Sequence, residues 1–277
     1  MNTLTSYLRL YIEFLRNALV REMTFRANFI IECISSMSWV IMNIGFYQLV
    51  FLYAKTIGDW PKWEFFVFLA TTLLVNSIVQ TFFMPNAENF SELIRQGGLD
   101  FLLLKPVDTQ FMMSLQRVDW SGGANFVIGL VLLAYSLFRL TTAAADPLVI
   151  SLWMLPAYVF YVLSGVAIMY SLMISLAASS IWLGRNQSLY DFWFYITNFS
   201  RYPMEIYGGN ALGTSLRVFF LFIVPVLVVI NVPARIMAKG LISPWLAAFA
   251  LAASITCLAV SRLIFQRALR AYRSASS

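Results

Sequence analysis

Six long stretches with few or no charged residues dominate the pattern of the chain. They are 27–54, where Glu32 is the one charged residue, 65–87, 120–138, 147–184, 218–234 and 240–261. A helix of about 20 apolar residues crosses the ~30 Å hydrocarbon core of a bilayer. The pattern therefore predicts an all-α integral membrane protein, with one transmembrane domain over 1–277, six transmembrane helices and short loops.

Five of these helices have clear predicted positions, near 29–53, 63–84, 120–139, 157–184 and 240–261. By hydropathy alone 214–232 is the remaining one, and 188–205 is an aromatic segment in the membrane interface. Most of the 19 lysines and arginines then fall on the side that holds both termini. Because an excess of positive charge marks the cytoplasmic side, both termini are predicted to be cytoplasmic.

Composition removes several classes of function. Only 12% of the residues are charged, the mean hydropathy is +0.76, and histidine is absent. Without histidine there is no Ser-His or Cys-His triad and no usual zinc centre. Cys33 and Cys257 lie far apart in separate apolar stretches, which is typical of small core residues. No catalytic residue and no metal ligand is predicted.

The net charge of +6 does not indicate nucleic-acid binding. A basic tail directly after an apolar helix is typical of an anchor to anionic lipid headgroups. Its residues are Arg262, Arg267, Arg270 and Arg273. Membrane lipids are therefore the predicted partner of this tail.

The first 25 residues predict an amphipathic helix in the membrane interface. Its polar face holds Thr5, Arg9, Glu13 and Arg16. The apolar face holds Leu4, Tyr7, Leu8, Tyr11, Leu15, Ala18 and Leu19. This spacing is typical of a helix that lies along a membrane, and a plain cytoplasmic extension of the first transmembrane helix is the alternative.

Residues 85–98 predict a short helix on the cytoplasmic face. Pro85 and Asn86 suit a helix start, and Gly97 and Gly98 suit a left-handed helix end. Its apolar side carries Phe90, Leu93 and Ile94, and its charged side carries Glu88, Glu92 and Arg95. Such a helix can pack on its own protein and present charges to a partner, or it can be an ordinary interfacial loop helix.

Polar side chains inside the predicted transmembrane helices are few. Asn43, Gln48, Asn76 and Gln80 can line a path for an amphipathic substrate or bond to neighbouring helices. Glu32 is interpreted as a structural residue that either reaches the cytoplasmic interface or pairs with a basic residue of the first helix, and substrate contact is the alternative. A row of small residues predicts close helix packing, within the subunit or across a dimer: Gly165, Ala167, Ser171, Ser175, Ala178 and Ser179.

Two motifs carry a resemblance to a known family. The run IRQGGLDFLLLKP at 94–106 resembles the "IRxGxLDxxLLxP" signature of an ABC-2 type permease family, the membrane subunits of ATP-driven exporters. Arg201-Tyr202-Pro203, with Leu216-Arg217 and Pro225 after it, is similar to a second stretch of that family. One departure is Gly208, where the family often has proline. The resemblance covers the whole chain.

The resemblance implies that 85–98 is a coupling helix region that docks on an ABC ATPase dimer. The implied coupling residues are Glu88, Glu92, Arg95, Gly97, Gly98 and Asp100. The chain has no G-x-x-x-x-G-K-[ST] phosphate loop, so no cofactor is expected on it, and ATP and Mg²⁺ belong to the partner ATPase. A second permease chain, identical or similar, and a bacterial-type inner membrane are implied as well.

The resemblance also offers another arrangement of the region before the last transmembrane helix. Relatives in the family place a transmembrane helix directly after a short cytoplasmic turn and then a broken hairpin that enters the membrane from outside. In this chain 187–207 then crosses the bilayer and 210–238 forms the re-entrant hairpin, broken at Pro225. This arrangement is preferred to a transmembrane helix at 214–232.

The functional hypothesis is a permease that moves a hydrophobic or amphipathic substrate outward with ATP hydrolysed by another subunit. The alternative is an ion-coupled secondary transporter. Such carriers usually have ionisable residues near the bilayer midplane and repeated halves. This chain has almost no midplane charge and no internal repeat, so the permease is preferred, and the sequence does not identify its substrate.

Overall fold

The computed structural model describes residues 3–143, 147–183, 187–240 and 243–272. These ranges are mostly helical, with turns and loops between the helices and one short antiparallel strand pair, β1 and β2, at Thr56–Ile57 and Trp60–Pro61. The α-helices are α1 Thr3–Thr24, α2 Arg26–Tyr53, α3 Lys62–Phe82, α4 Met84–Arg95, α5 Gly98–Leu103, α6 Thr109–Leu115, α7 Gly123–Thr141, α8 Met154–Leu183, α9 Gln187–Asn198, α10 Ala211–Val218, α11 Val226–Lys239 and α12 Pro244–Ala271.

Five helical segments in the described ranges are long and apolar enough to cross a membrane. They are α2, the α3–α4 pair, Trp120–Thr141, α8 and α12. Each coincides with a transmembrane helix predicted from the sequence. The prediction of an all-α membrane protein is therefore confirmed.

α8 passes through the middle of the helix bundle and defines its two ends. Near its start, Cε of Met154 would lie 3.9 Å from a Cβ atom at Gly240, the residue after Lys239, and Lys239 bonds to Asp59 between the two strands. Near its other end, Ile174 and Ala178 share an apolar cluster with Phe90 of α4. The two ends of the bundle are called here the β-hairpin side and the α4 side.

Both ends of the described chain lie on the α4 side. The hydroxyl of Tyr7 in α1 accepts a hydrogen bond of 3.0 Å from the backbone N–H of Asp108, just before α6. Near the end of α12, Phe265 packs against Phe90, with ring centroids 6.0 Å apart. This agrees with the sequence-based placement of the termini on the side of the 85–98 loop.

Between 183 and 205 the chain passes from the α4 side to the β-hairpin side. α9 and the 3₁₀ turn Phe199–Arg201 lie in this part. The carboxylate of Glu205 then accepts a 3.0 Å hydrogen bond from Nε1 of Trp60 in β2. The chain between α8 and Glu205 therefore connects the two ends of the bundle.

The next part is a bent helix pair with both ends on the β-hairpin side. α10 and the π-helical turn Phe219–Ile223 meet α11 at an angle of 87°, with Pro225 at the bend. At the end of α11, Nζ of Lys239 donates a 3.0 Å hydrogen bond to the backbone oxygen of Asp59. The pair therefore leaves the β-hairpin side and returns to it.

Close packing of α8 against α11 depends on Gly165. A Cβ atom at this position would lie 2.7 Å from the backbone oxygen of Val229. Gly165 belongs to the row of small residues in which the sequence predicts close helix packing. At this position the neighbouring helix is α11 of the same chain.

α1 has three faces instead of the two that the sequence predicts. Tyr7, Leu10, Phe14 and the buried Ala18 face the protein. Leu8, Ile12 and Leu19 are exposed although they are apolar, and Arg9, Glu13 and Arg16 form the polar face. Because the predicted apolar face is broad, one edge of it packs on α6 and the other remains free.

Candidate functional site: the exposed helix α4 and a polar cavity between the long helices

α4 has one side buried in the protein and one side exposed. Phe90 is buried in the cluster with Phe265, and Leu93 and Ile94 pack at its edge. After α4, Gly97 has a φ of 70°, in the left-handed region that favours glycine. Gly98 packs so closely that a Cβ atom would lie 2.9 Å from Cδ2 of Leu93. The predicted helix and its glycine end are confirmed at these positions.

The exposed side of α4 carries an ion pair. Nη2 of Arg95 lies 2.6 Å from Oε1 of Glu92, and these side chains are 72% and 39% exposed. The hydrogen bond and the negative charge of Glu92 raise the pKa of Arg95. An exposed pair of this kind contributes little to stability, because solvent screens its charges. Its charges are therefore available to a partner at little cost to the fold.

The other predicted coupling residues lie at the two ends of the same segment. Glu88 is exposed, and it lines a cavity of about 570 Å³ together with Glu32 and Asp119. Asp100 is half-buried in the first turn of α5. Glu32 accepts a 2.7 Å hydrogen bond from Nδ2 of Asn28, so its nearest partner is an amide of its own helix. This partner is not a basic residue of the first helix, the pairing that the sequence offers as one of two alternatives.

An exposed apolar patch lies beside the charged side of α4. Leu99 and Leu102 of α5 are buried, whereas Phe101, Leu103 and Leu104 are exposed. Sequence reasoning missed this patch because a continuous apolar run does not reveal which of its residues face outward. The spacing of three between Phe101 and Leu104 was the available signal.

Asn86 holds the start of α4 to the segment that precedes α7. Its Nδ2 donates to the backbone oxygens of Ser114 and Arg117, at 3.0 and 2.7 Å. Its Oδ1 accepts a 2.8 Å hydrogen bond from the backbone N–H of Arg117. The sequence predicts Asn86 as a helix-start residue. In the structure its side chain forms hydrogen bonds with backbone groups 28 and 31 residues further along the chain.

A polar network joins α6, α8 and α12 on the α4 side. Arg262 pairs with both carboxylate oxygens of Asp108, and its Nη1 also donates a 2.9 Å hydrogen bond to Oε1 of Gln110. Nε2 of Gln110 donates to the hydroxyl of Tyr170 at 3.0 Å, and the hydroxyl of Ser114 lies 2.7 Å from the same group. The sequence places Arg262 in a lipid anchor; in the structure it joins α12 to the loop after α5.

The Asp108 carboxyl is expected to make the fold sensitive to acid. Burial alone would raise its pKa. Two hydrogen bonds, from Arg262 and from the backbone N–H of Phe111, act together with the positive charge of Arg262; they outweigh burial, and the pKa of Asp108 is lowered. A lowered pKa means that the pair stabilises the fold above the unfolded pKa of about 4. This contribution, about 1 kcal/mol because the pair is partly exposed, is lost as pH falls through the folded pKa.

Thermal unfolding of the wild type and of Asp108→Asn checks this expectation. The wild type should have the higher midpoint at pH 7, and the difference should shrink when both proteins are unfolded near pH 3. A constant difference at the two pH values would contradict the role of the charged carboxylate.

Three of the four predicted substrate-path residues lie around one intramembrane cavity. Asn43 of α2 and Asn76 and Gln80 of α3 line this cavity of about 150 Å³. Gln48 is half-buried on α2 and is not among the lining residues. The prediction that these side chains line a path for substrate is untested.

Arg201 and Asn125 line the same cavity and were missed as site residues in the sequence. Arg201 was noted only as part of a motif, and Asn125 lies at the start of an otherwise apolar helix. Neither position has a local signal, because Asn125 is 45 residues from Gln80 in the chain and Arg201 is 76 residues from Asn125. In the described residues no group of three or more acidic or cysteine side chains is placed to hold a metal ion.

Long apolar helices around a polar cavity, with a charged helix at one end of the bundle, define a multi-pass membrane protein of the transport class. A family model described as ABC-2 family transporter protein matches residues 37–276, and the chain belongs to this family. It is therefore a membrane component of ABC transport, and membership of the family implies an ABC ATPase as partner. No curated protein and no solved structure matches the chain.

Proposed function

We propose that the chain is the permease subunit of an ABC-2 type exporter and that α4, with the turn at Gly97 and Gly98, is its coupling helix. The observation that carries this proposal is the division of α4 into an exposed charged side and a buried apolar side. Glu92 and Arg95 pair with each other on the exposed side, where an ATPase can meet them, while Phe90 packs on Phe265 of α12. A force on the charged side is therefore transmitted directly to a transmembrane helix.

The exposed patch of Phe101, Leu103 and Leu104 extends the proposed ATPase-binding surface. Apolar residues in the centre of an interface and charges at its rim are the usual arrangement of protein–protein contacts. The patch and the Glu92–Arg95 pair lie on consecutive helices with one turn between them. Glu88 and Asp100 complete the charged rim of this surface.

In this proposal the α4 side is cytoplasmic and both termini are there. α9 and the turn after it then form the fifth crossing, and the bent pair α10–α11 is a hairpin that enters from outside. Irregular backbone at membrane depth needs protein around it, and α11 is enclosed by α3, α8 and α12. The buried contact of Gly165 with Val229 supports this placement.

A second permease chain is part of the proposal because α2 is poorly covered. Within its most apolar stretch of 18 residues, only 6% of the residues are buried against other parts of the chain. Trp39, Met42, Phe46 and Leu49 are among its exposed side chains. An identical or similar permease is proposed to cover part of this helix and lipid the rest. The substrate is proposed to be hydrophobic or amphipathic and to move outward.

A charge exchange on α4 tests the coupling role. In Glu92→Arg with Arg95→Glu the intrahelical pair can still form, whereas each charge offered to a partner is reversed. We expect the permease to remain folded and to lose most of its stimulation of ATP hydrolysis, about tenfold, since like charges across an interface repel. The measurement is ATPase activity after reconstitution with the partner ABC ATPase, sought first in the neighbouring reading frames.

The matched control is Glu13→Arg with Arg16→Glu on α1, where two exposed charges have the same spacing of three. It should stimulate the ATPase as the wild type does. If the permease with the α4 exchange stimulates ATP hydrolysis as strongly as the wild type, α4 is not the coupling helix. Transport driven by an ion gradient in vesicles that contain this chain alone would instead support a secondary carrier.

A further inference from the structure

The intramembrane cavity lies between two stripes of side chains on antiparallel helices. Trp39, Asn43 and Tyr47 are spaced by four residues on α2, and Thr72, Asn76 and Gln80 have the same spacing on α3. Residues four apart lie on one face of a helix, and each stripe is about 12 Å long. The cavity is therefore a polar slot that follows the helix axes, and it is called the polar slot below.

Arg201 brings a positive charge to the polar slot. Its guanidinium lies 5.4 Å from the centre of the Phe194 ring, and none of the ion pairs among the described residues includes it. Arg235 of α11, by contrast, pairs with the carboxylate of Glu205. A charged side chain inside a membrane protein normally pairs with an opposite charge or marks a functional site.

Asn125 adds a buried acceptor that has no partner. The residue is 9% exposed, and its Nδ2 donates to the hydroxyl of Ser36. Its Oδ1 is buried and accepts no hydrogen bond from any described residue. Buried polar atoms are almost always hydrogen-bonded, so an unpaired one beside a cavity indicates a group that enters the cavity.

We propose that the polar slot binds the anionic, hydroxyl-bearing headgroup of an amphipathic lipid. Arg201 binds the phosphate, the amides of Asn43, Asn76 and Gln80 bind its oxygens and hydroxyl groups, and Oδ1 of Asn125 accepts a hydroxyl hydrogen. A volume of about 150 Å³ suits a headgroup and excludes a whole lipid. The acyl chains leave past Trp39, which is exposed at the mouth of the slot.

This inference rests on the proposed transport function and gives it a substrate class. A guanidinium binds phosphate oxygens in a geometry that a zwitterionic headgroup, with its own cation, matches less well. The polar slot is therefore expected to distinguish phosphatidylglycerol from phosphatidylcholine. Selectivity for the anionic lipid separates this site from a general lipid contact.

Native mass spectrometry of the full chain with added phosphatidylglycerol tests the proposal. Arg201→Gln is expected to retain the lipid about tenfold more weakly than the wild type, or about 1.4 kcal/mol. Arg201→Lys keeps the charge and should retain more than Arg201→Gln. The matched control is Arg139→Gln, which removes an exposed arginine 4.9 Å from the ring of Trp63 and should bind as the wild type does.

Asn76→Leu fills the polar slot without changing its charge, and it decides the question if Arg201→Gln does not fold. We expect it to weaken binding several-fold with an unchanged gel-filtration profile. Equal binding by Asn76→Leu and wild type, equal loss in Arg139→Gln, or equal retention of phosphatidylcholine would overturn the proposal. Displacement of the lipid by millimolar inorganic phosphate would show a free-phosphate site and overturn it as well.

The binding measurement contains no ATPase, so its outcome is separate from that of the coupling test. If Arg201→Gln loses the lipid and the α4 exchange still couples normally, the headgroup site is supported and the coupling role of α4 is contradicted. If Arg201→Gln binds the lipid normally and the α4 exchange loses coupling, the coupling helix is supported and the headgroup site is contradicted.

Discussion

Replacement of Glu205 by alanine is expected to destabilise the β-hairpin side by about 2–3 kcal/mol. Its carboxylate pairs with Arg235 of α11 and accepts a 3.0 Å hydrogen bond from Nε1 of Trp60. Without Glu205 the guanidinium, 30% exposed, loses its carboxylate partner. The cost stays below the 3–5 kcal/mol of a fully buried pair because Arg235 keeps some contact with solvent.

Thermal unfolding in detergent, with the midpoint compared between variants, measures this effect. Glu92→Ala is the matched control, because it also removes a carboxylate from an ion pair with arginine, but an exposed one. It should lower the unfolding midpoint much less than Glu205→Ala does, because solvent screens the exposed pair. If the two variants unfold at the same temperature, the Glu205 contacts do not hold the hairpin side together.

Replacement of Gly165 by valine is expected to separate α8 from α11 and to lower stability by about 3 kcal/mol, at the upper end of overpacking effects. A Cβ atom would lie 2.7 Å from the backbone oxygen of Val229 and 3.0 Å from its Cγ1. The backbone of α11 cannot move alone, since its other sides are buried against α3 and α12. Alanine at 165 should have a smaller effect of the same sign.

Gly45→Val is the control for this substitution. Gly45 also lies inside a long apolar helix, α2, but nothing lies within 4 Å of a Cβ atom there. Valine at 45 should leave the unfolding midpoint nearly unchanged, because it enters open space and meets no other helix. A similar loss in both variants would assign the effect to valine in a helix instead of to the contact with Val229.

Local patterns in the chain were enough for most of the helices. The uncharged stretches located α2, α3, α7 and α8 to within a few residues, because each is a property of 20 or so consecutive residues. They located the start of α12 equally well, but the helix continues ten residues beyond the predicted end, to Ala271. Pro85 and Gly97 predicted the limits of α4 for the same reason, since proline and left-handed glycine act on the backbone next to them. The coupling role of this helix remains a proposal.

The bent pair shows where local patterns stop being sufficient. Hydropathy predicts a straight transmembrane helix at 214–232, and the family resemblance predicts a hairpin broken at Pro225. The 87° bend and the contacts of Glu205 and Lys239 with the strand pair favour the hairpin. Apolar residues suit both arrangements, so composition alone does not choose between them.

The sequence by itself determined the class of the protein, the helices that cross the membrane and the charged side of α4, since these depend on residues adjacent in the chain or one helical turn apart. Only the tertiary structure decided that Trp60 meets Glu205, at a separation of 145 residues, and that Arg201 lies with Asn43 and Asn76. Such contacts depend on how whole helices pack, and packing is set by the shapes of all their faces together.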